Sequence, residues 1–226
     1  MINKDKEWEF MEENNRIKDI KTLRAWVFNG NKFMTDFYTK NGFEISLVAF
    51  FSIISLIDFR EEEFSDHVTK FNENSFQIRT LKELQEENSN WEDKLFELFH
   101  RVELDVPNDI EVDKNREHWK AHNLTPWFKP EDVYIVLDGE KWIALSTYNR
   151  GDTVTDTVST ELTGVLPEYR RKSICTALKV HALVDLKEKG FKRVFTSNEE
   201  NNPMFKINLM LGFKKIGTEV GCKLAL

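Results

Sequence analysis

Hydrophobic positions after residue 75 recur with a period that switches between that of a strand and that of a helix. A strand pattern covers Phe76–Arg79, and an amphipathic helix is predicted from Leu81 to about Glu103, followed by a second helix over about Val112–His122. Two apolar runs that flank Asp138-Gly139 predict a β-hairpin. The other predicted elements are a strand at 160–165, a helix at 171–189, a strand at 192–196, a helix at 201–211 and strand structure over 213–224. The predicted order from residue 76 is therefore β-α-α-β-β-β-α-β-α-β.

The first 60 residues carry a shorter pattern. In order, it predicts a helix at 7–15, a half-buried strand at Ile17–Lys21, a helical face of Phe33, Met34 and Phe37 that ends at Asn41-Gly42, and a buried strand at Ile45–Ile57. The acidic run Arg60–Glu63 predicts a solvated connector. These patterns divide the chain into an N-terminal segment at 1–60, a connector at 61–75 and a larger domain at 76–226.

The N-terminal segment partly repeats the end of the chain. The matched positions are Asn31, Met34, Phe37, Gly42 and Phe43 with Asn201, Met204, Ile207, Gly212 and Phe213, at a constant offset, since 201 − 31 and 212 − 42 are both 170. Upstream, Ile17–Thr22 echoes Phe191–Thr196 with about four extra residues in the first copy. The alternative is a chance match of a common Gly-terminated helix motif.

Composition excludes several classes of protein. A hydrophobic content of 40%, with 18 Phe and 6 Trp, is ample for a packed core. The net charge of −7 argues against a general nucleic-acid binder. Cys175 and Cys222 lack the number and spacing of a disulfide framework or a metal site. No apolar signal core is present near residue 1, and the run at Ile45–Ile57 is too short to span a membrane, so we expect a cytoplasmic protein.

The most informative stretch is Thr163–Lys179, where an apolar strand runs through a short basic turn into a helix. The turn contains Arg170, Arg171 and Lys172. The first N–H groups of a helix have no partner within it, and the helix dipole favours negative charge there. The stretch therefore predicts a pyrophosphate-binding site. The alternative is a solvated basic loop.

Together with Phe195–Asn198, Asn201, Met204, Asn208 and Gly212-Phe213, this stretch resembles the coenzyme A-binding half of the GNAT N-acetyltransferase superfamily. The resemblance implies the GNAT fold, an α+β three-layer fold with a mixed, mostly antiparallel sheet and helices on both faces, over residues 76–226. The segment at 1–60 resembles the last β-α-β of such a domain with its front missing, as in a tandem GNAT protein. With no room for a phosphate turn before residue 17, that copy is expected to be catalytically silent.

The resemblance also implies cofactor-binding residues. Those of the strand and the turn are Leu162, Gly164, Val165, Arg170, Arg171, Lys172, Ser173, Ile174, Cys175 and Thr176, and those after the next strand are Asn198 and Asn201. Gly164 would let the pantetheine arm approach the backbone, although a simple core strand explains the same residues. Ser173 and Cys175 replace small residues of the family's turn; Ser173 can still cap the helix or donate to a phosphate.

The implied activity is transfer of an acetyl group from acetyl-CoA directly to a primary amine, without a metal. Where many family members place a Tyr general acid, this chain has Asn208, so catalysis is expected to depend mainly on positioning. Glu161 is the candidate base, if partial burial raises its pKa; the alternative is a strand Glu that faces solvent. Tyr148 is a weaker candidate. The expected partner is a small-molecule or peptide amine rather than nucleic acid or membrane, and a homodimer is compatible with the N-terminal segment. The alternative function is a GNAT-fold module that binds coenzyme A as a regulatory or structural ligand without catalysis.

Overall fold

The computed structural model describes residues 21–28, 31–106, 112, 114–125, 128–151 and 156–226. The predicted helix at 7–15, and the predicted strand at 17–21 except Lys21, lie outside these residues. The chain forms two compact units, one of residues 1–49 with 218–226 and one of residues 50–217.

The described elements follow in chain order. The strands are β1 Thr22–Phe28, β2 Glu44–Ser55, β3 Gln77–Thr80, β4 Val133–Asp138, β5 Lys141–Asn149, β6 Thr157–Val165, β7 Arg193–Glu199 and β8 Lys214–Ala225. The α-helices are α1 Lys32–Lys40, α2 Ser65–Asn72, α3 Leu81–Glu87, α4 Trp91–Glu103, α5 Arg116–Asn123, α6 Ile174–Glu188 and α7 Pro203–Met210. Short 3-10 helices lie at Glu61–Phe64, Pro130–Asp132 and Pro167–Tyr169.

The unit of residues 50–217 is built on a sheet in which the strand order is β2, β7, β6, β5, β4, β3. The pairs from β3 to β6 are antiparallel, whereas β6 and β7 are parallel. The predicted α+β class with a mixed, mostly antiparallel sheet is confirmed for this unit.

The centre of this core is formed by β4, β5 and helix α6. Nearly every residue of β4 and β5 is buried, and α6 is apolar around most of its circumference because it packs on β4, β5 and β6 and also on α2. One exception in α6 is Lys179, which is fully buried although it carries an ammonium group. A helix enclosed in this way is fixed in place by its packing.

The unit of residues 1–49 and 218–226 contains three neighbouring strands in the order β1, β8, β2. β1 and β8 are antiparallel, with Thr22 opposite Ala225 and Phe28 opposite Glu219. Helix α1 is capped by Asn31, whose side chain accepts a hydrogen bond from the Met34 N–H.

The internal repeat is visible in the elements. Strands β2 and β8 begin and end at the same offset of 170, since 214 − 44 and 225 − 55 are equal. The helices before them end alike: Phe43 N–H donates to Tyr38 O, and Phe213 N–H donates to Asn208 O. Strand β1 corresponds to β7 at an offset of 171, which is nearly the offset of 170 between β2 and β8. The first copy therefore does not contain the four extra residues that the sequence comparison suggested. This agreement favours a repeat over a chance match.

The two copies exchange their last strands. β8 lies beside β1 in one unit, and β2 lies beside β7 in the other. Each unit therefore combines the first strand of one copy with the last strand of the other.

Two predicted segments differ from the structure. The single helix predicted over Leu81–Glu103 is two helices, because the side chain of Asn88 bonds to Leu84 O and the backbone leaves the helical path there. The predicted connector at 61–75 is the 3-10 helix Glu61–Phe64 followed by α2, and it belongs to the compact unit of residues 50–217. The division at 1–60, 61–75 and 76–226 stays a prediction.

Candidate functional site

A cleft opens where β6 and β7 separate. The two strands pair only from Thr157 opposite Arg193 to Ser159 opposite Phe195. On the other side of β6, the pairing with β5 shifts between Ser146 and Tyr148, which is the signature of a β-bulge around Glu161 and Leu162. The later residues of β6 therefore keep backbone groups that no β7 residue pairs with, facing a gap between two parallel strands.

The end of this cleft is closed by the basic turn and the N-terminus of α6. Arg171 and Ser173 both have left-handed backbone angles, with φ of 64° and 61°. A residue with a Cβ is strained there by about 1 kcal/mol, so surrounding contacts must hold the turn. Ser173 makes no side-chain capping bond to the helix, so of the two roles expected of it, capping is wrong and donation to a phosphate stays a prediction. Its hydroxyl instead lies 3.2 Å from Nδ1 of His67.

Cleft and turn enclose a cavity of about 530 Å³. Its lining consists of His67, Val102, Asp105, Val106, Thr163, Gly164, Val165, Tyr169, Arg170, Arg171, Ser173, Ile174, Cys175, Thr176, Asn202, Pro203, Met204 and Ile207. Eight of the predicted cofactor-binding residues are thus brought together: Gly164, Val165, Arg170, Arg171, Ser173, Ile174, Cys175 and Thr176. Leu162, Lys172, Asn198 and Asn201 do not line the cavity, and their predicted roles stay predictions.

The three basic side chains of the turn have different environments. Arg170 donates to Val165 O through Nε and pairs with Asp105 at 2.5 Å, so it ties the turn to β6 and to the end of α4. The ammonium of Lys172 lies over the rings of Phe76 and Tyr169, at 5.8 and 5.5 Å from their centroids. Arg171 is exposed and lines the cavity. Of the three, Arg171 is the side chain best placed to meet an anion.

The apolar part of the cavity is formed by β6, α4 and α7. Val102 of α4 packs directly on Gly164 of β6: a Cβ at Gly164 would overlap Val102 Cγ1. Cys175 Sγ lies 3.6 Å from Met204 Sδ of α7. Burial raises the pKa of the Cys175 thiol to about 11, so the thiol is protonated at neutral pH and is a poor nucleophile.

Neither predicted catalytic residue lines the cavity. Asn208 is fully buried, and its Nδ2 donates to Asn198 Oδ1 at 2.6 Å. Glu161 is exposed and accepts a hydrogen bond from Ser159 Oγ at 2.6 Å. Of the two environments left open for Glu161, the structure shows the one that faces solvent and not partial burial. The role of Glu161 as a base and the catalytic role of Asn208 both stay predictions.

Two other residues proposed from the sequence, Tyr148 and Asn201, make contacts within the protein. Tyr148 is buried against the ring of Tyr134, and burial raises the pKa of its hydroxyl. Asn201 donates from its backbone and side chain to Glu199, and the residue that caps α7 is its neighbour Asn202. These contacts order the strand ends around the cavity.

The cavity residue that sequence reasoning missed most clearly is His67. The acidic run before it indicated a connector, but Phe64, Val68 and Phe71 recur at helical spacing, and this is the signal that could have predicted α2. Phe64 and Phe71 are buried in the structure.

The described residues contain no group of three or more His, Cys, Asp or Glu side chains arranged to hold a metal ion. Among the same residues, no helix has both the length and the apolar character needed to cross a membrane.

Comparison with known proteins agrees with this geometry. Residues 84–213 match the model of the acetyltransferase (GNAT) family. Among solved structures, the chain is similar to a GCN5-related N-acetyltransferase from Sphaerobacter thermophilus, with a TM-score of 0.69 and 12% identity over 98% of this chain and 66% of that one. No curated protein matches the sequence.

Two further structures are similar along most of the chain. A tandem GNAT protein from the clavulanic acid biosynthesis pathway gives a TM-score of 0.64 at 15% identity, over 96% of this chain and 68% of that one. A GCN5-related N-acetyltransferase from Kribbella flavida gives a TM-score of 0.60 at 12% identity, over 96% of this chain and 73% of that one. At these identities the likeness concerns the fold, and this chain spans roughly two thirds of the length of such structures.

Proposed function

The chain belongs to the acetyltransferase (GNAT) family, and on that basis we propose that it transfers an acetyl group from acetyl-CoA to a primary amine by direct transfer. The observation that supports this most strongly is the separation of β6 from β7 in front of the α6 N-terminus. A gap with unpaired strand edges suits the amides of a pantetheine arm, and a helix N-terminus suits a diphosphate.

The residues of the cavity fit coenzyme A in polarity and charge. A diphosphate needs backbone N–H groups and a positive charge, and the first turn of α6 with Arg171 supplies both. The pantetheine arm needs a mainly apolar surface, and Gly164, Val165, Met204 and Ile207 supply one. Coenzyme A would supply the activated acyl group as a thioester, and it leaves as the thiol.

Positioning is the main catalytic contribution that we assign to the protein. Among the described residues, the cavity lining includes no Glu, and the family's general-acid position holds the buried Asn208, which does not line the cavity. An amine held against the thioester in the right orientation reacts as if at very high concentration, which contributes several kcal/mol to rate acceleration. Water at the open cleft can carry the proton away from the amine, because the cleft is continuous with solvent.

We further propose a small-molecule or peptide amine as the acceptor, the cytoplasm as the location, and no nucleic-acid or membrane partner. A cationic amine suits the net charge of −7 and the Asp105 carboxylate in the cavity lining, although Asp105 is paired with Arg170. Homodimerisation remains compatible with this function.

Calorimetry with acetyl-CoA, followed by a thiol-release assay across amino sugars, polyamines and peptide N-termini, tests the proposal. We expect acetyl-CoA to bind and at least one amine to release free thiol above the hydrolytic background. Absence of binding at millimolar acetyl-CoA would overturn the proposal. Binding with no thiol release from any amine would support the non-catalytic coenzyme A module instead.

A further inference from the structure

Helix α2 brings His67 into the candidate site from outside the residues that match the family. The family model covers residues 84–213, and α2 ends at Asn72. The helix is anchored by the buried rings of Phe64 and Phe71, and it packs directly on α6. Helix α2 therefore lies outside the matched residues, and it places an imidazole next to the phosphate turn.

The imidazole contacts the residue that departs from the family's turn. Nδ1 of His67 lies 3.2 Å from Ser173 Oγ, and both residues line the cavity. Ser173 is also one of the two turn residues in the left-handed region, with φ of 61°. A hydrogen bond to its side chain helps to offset the strain of that conformation.

Two of the three basic side chains in the turn already have partners within the protein. The guanidinium of Arg170 is occupied by Val165 O and by Asp105, and the ammonium of Lys172 lies over two aromatic rings. Arg171 and His67 are the other basic side chains that line the cavity within the part of the chain the structure describes. A diphosphate carries more negative charge than Arg171 alone can compensate.

We propose that His67 binds the diphosphate of coenzyme A, with Ser173 fixing the orientation of its ring. When the Ser173 hydroxyl donates to Nδ1, the ring proton lies on Nε2, and Nε2–H is the donor that we assign to a phosphate oxygen. The Ser173 hydroxyl then has a defined role, because it holds the imidazole that α2 provides. This inference rests on the proposed function, since it assumes that the cavity binds coenzyme A.

Calorimetry with three ligands tests the assignment. Coenzyme A and 3′-dephospho-coenzyme A both contain the diphosphate, whereas pantetheine does not. We expect H67A to weaken binding of the first two by the same factor, about tenfold, and to leave pantetheine binding unchanged. An exposed residue of the same helix, Thr69, provides the matched control, and T69A should bind all three ligands as the parent protein does.

Two conservative variants separate the two ring nitrogens. The amide of H67N can replace Nδ1 but not Nε2, so it should bind coenzyme A as weakly as H67A does. The amide of H67Q reaches the position of Nε2, and we expect it to restore affinity to within about threefold of the parent protein. These variants carry the test if H67A fails to fold, and thermal unfolding checks each of them.

Three results would overturn the assignment. Unchanged coenzyme A affinity in H67A and H67N would overturn the role of His67 while leaving the proposed function intact. An equal loss for pantetheine would mean that His67 only supports the cavity structurally. Failure of the parent protein to bind coenzyme A at millimolar concentration would overturn both the assignment and the proposed function.

Discussion

Val102 of α4 fills the space that a side chain at position 164 would need. Gly164 lies on β6, and a Cβ added there would overlap Val102 Cγ1. Val102 is buried, so its methyl cannot swing out into solvent. The glycine expected to admit a ligand close to the backbone thus also allows a helix to pack on the strand.

Gly164→Ala should destabilise the protein by about 1–3 kcal/mol, because a methyl group is forced into a packed interface. Urea unfolding of the variant measures the loss. The double variant G164A/V102A should recover much of it, because removing the valine methyls vacates the same space. Strictly additive effects of the two substitutions would contradict the direct contact.

Arg171→Glu should weaken coenzyme A binding by more than tenfold while changing the thermal midpoint little. The side chain is exposed and lines the cavity, so reversing its charge repels a phosphate without disturbing the core. Calorimetry and thermal unfolding measure the two quantities. A large loss of stability would show that Arg171 is structural.

Arg170→Ala provides the contrasting variant on the adjacent residue. It should lower the unfolding free energy by about 1–2 kcal/mol, because it removes the bond to Val165 O and the pair with Asp105. If R170A and R171E had the same effects on stability, the distinction between a structural and a ligand-facing arginine would be wrong.

Lys179→Met should stabilise the protein at neutral pH. The Lys179 ammonium is fully buried and has no hydrogen-bond partner among the described residues; its main compensation is the ring of Phe213, 5.7 Å away. Burial lowers the pKa of Lys179 to about 8, from 10.5. A shift of this size corresponds to a cost of roughly 3 kcal/mol when the folded protein carries the charge.

The pH dependence of this effect follows from the direction of the shift. Below about pH 8 both states hold the proton, so the full cost is present. Between pH 8 and 10.5 the unfolded chain keeps the proton that the folded protein has lost, so this residue's contribution to stability rises with pH. The difference between K179M and the parent should therefore shrink from roughly 3 kcal/mol at pH 7 towards zero near pH 10.5.

Chemical denaturation of K179M and of the parent protein at about pH 7 and about pH 10.5 measures this difference in unfolding free energy. The exposed Lys206 provides a control, because its ammonium remains in water and the same substitution there removes no buried charge. A difference between K179M and the parent that did not change with pH would contradict a buried, weakly compensated ammonium.

A fragment of residues 61–226 should not fold cooperatively by itself. It lacks β2, which lies beside β7, and it lacks Ile54 and Leu56 of the core of the larger unit. Each large aliphatic residue removed from a core costs about 2–5 kcal/mol, which is comparable to much of a domain's stability. Circular dichroism and urea unfolding test this expectation. A stable fragment would instead support the predicted domain division near residue 60.

The sequence predicts the strand, turn and helix at Thr163–Lys179 well because their signals are local. Basic residues, a preceding strand and a following helix all lie within Thr163–Lys179. The same is true of the hairpin at Asp138-Gly139, where two apolar runs flank a turn that forms β4 and β5.

The features that escaped prediction depend on distant parts of the chain. Arg170 is bound by Asp105, and the Ser173 hydroxyl by His67; neither partner can be inferred from the turn itself. The break between α3 and α4 depends on a side-chain bond of Asn88 that competes with the helix. Helix α2 was obscured because the acidic run before it has the composition of a loop.

The exchange of last strands has a consequence for how the chain acquires its structure. Thr22 pairs with Ala225, so among the described strands β1 pairs with one whose residues come about 200 positions later in the sequence. A ribosome would release β1 long before its partner is synthesised, and contacts of such high sequence separation form slowly. During that interval the exposed edge of β1 is a site for mispairing, and fast expression of this protein should favour aggregation over native assembly.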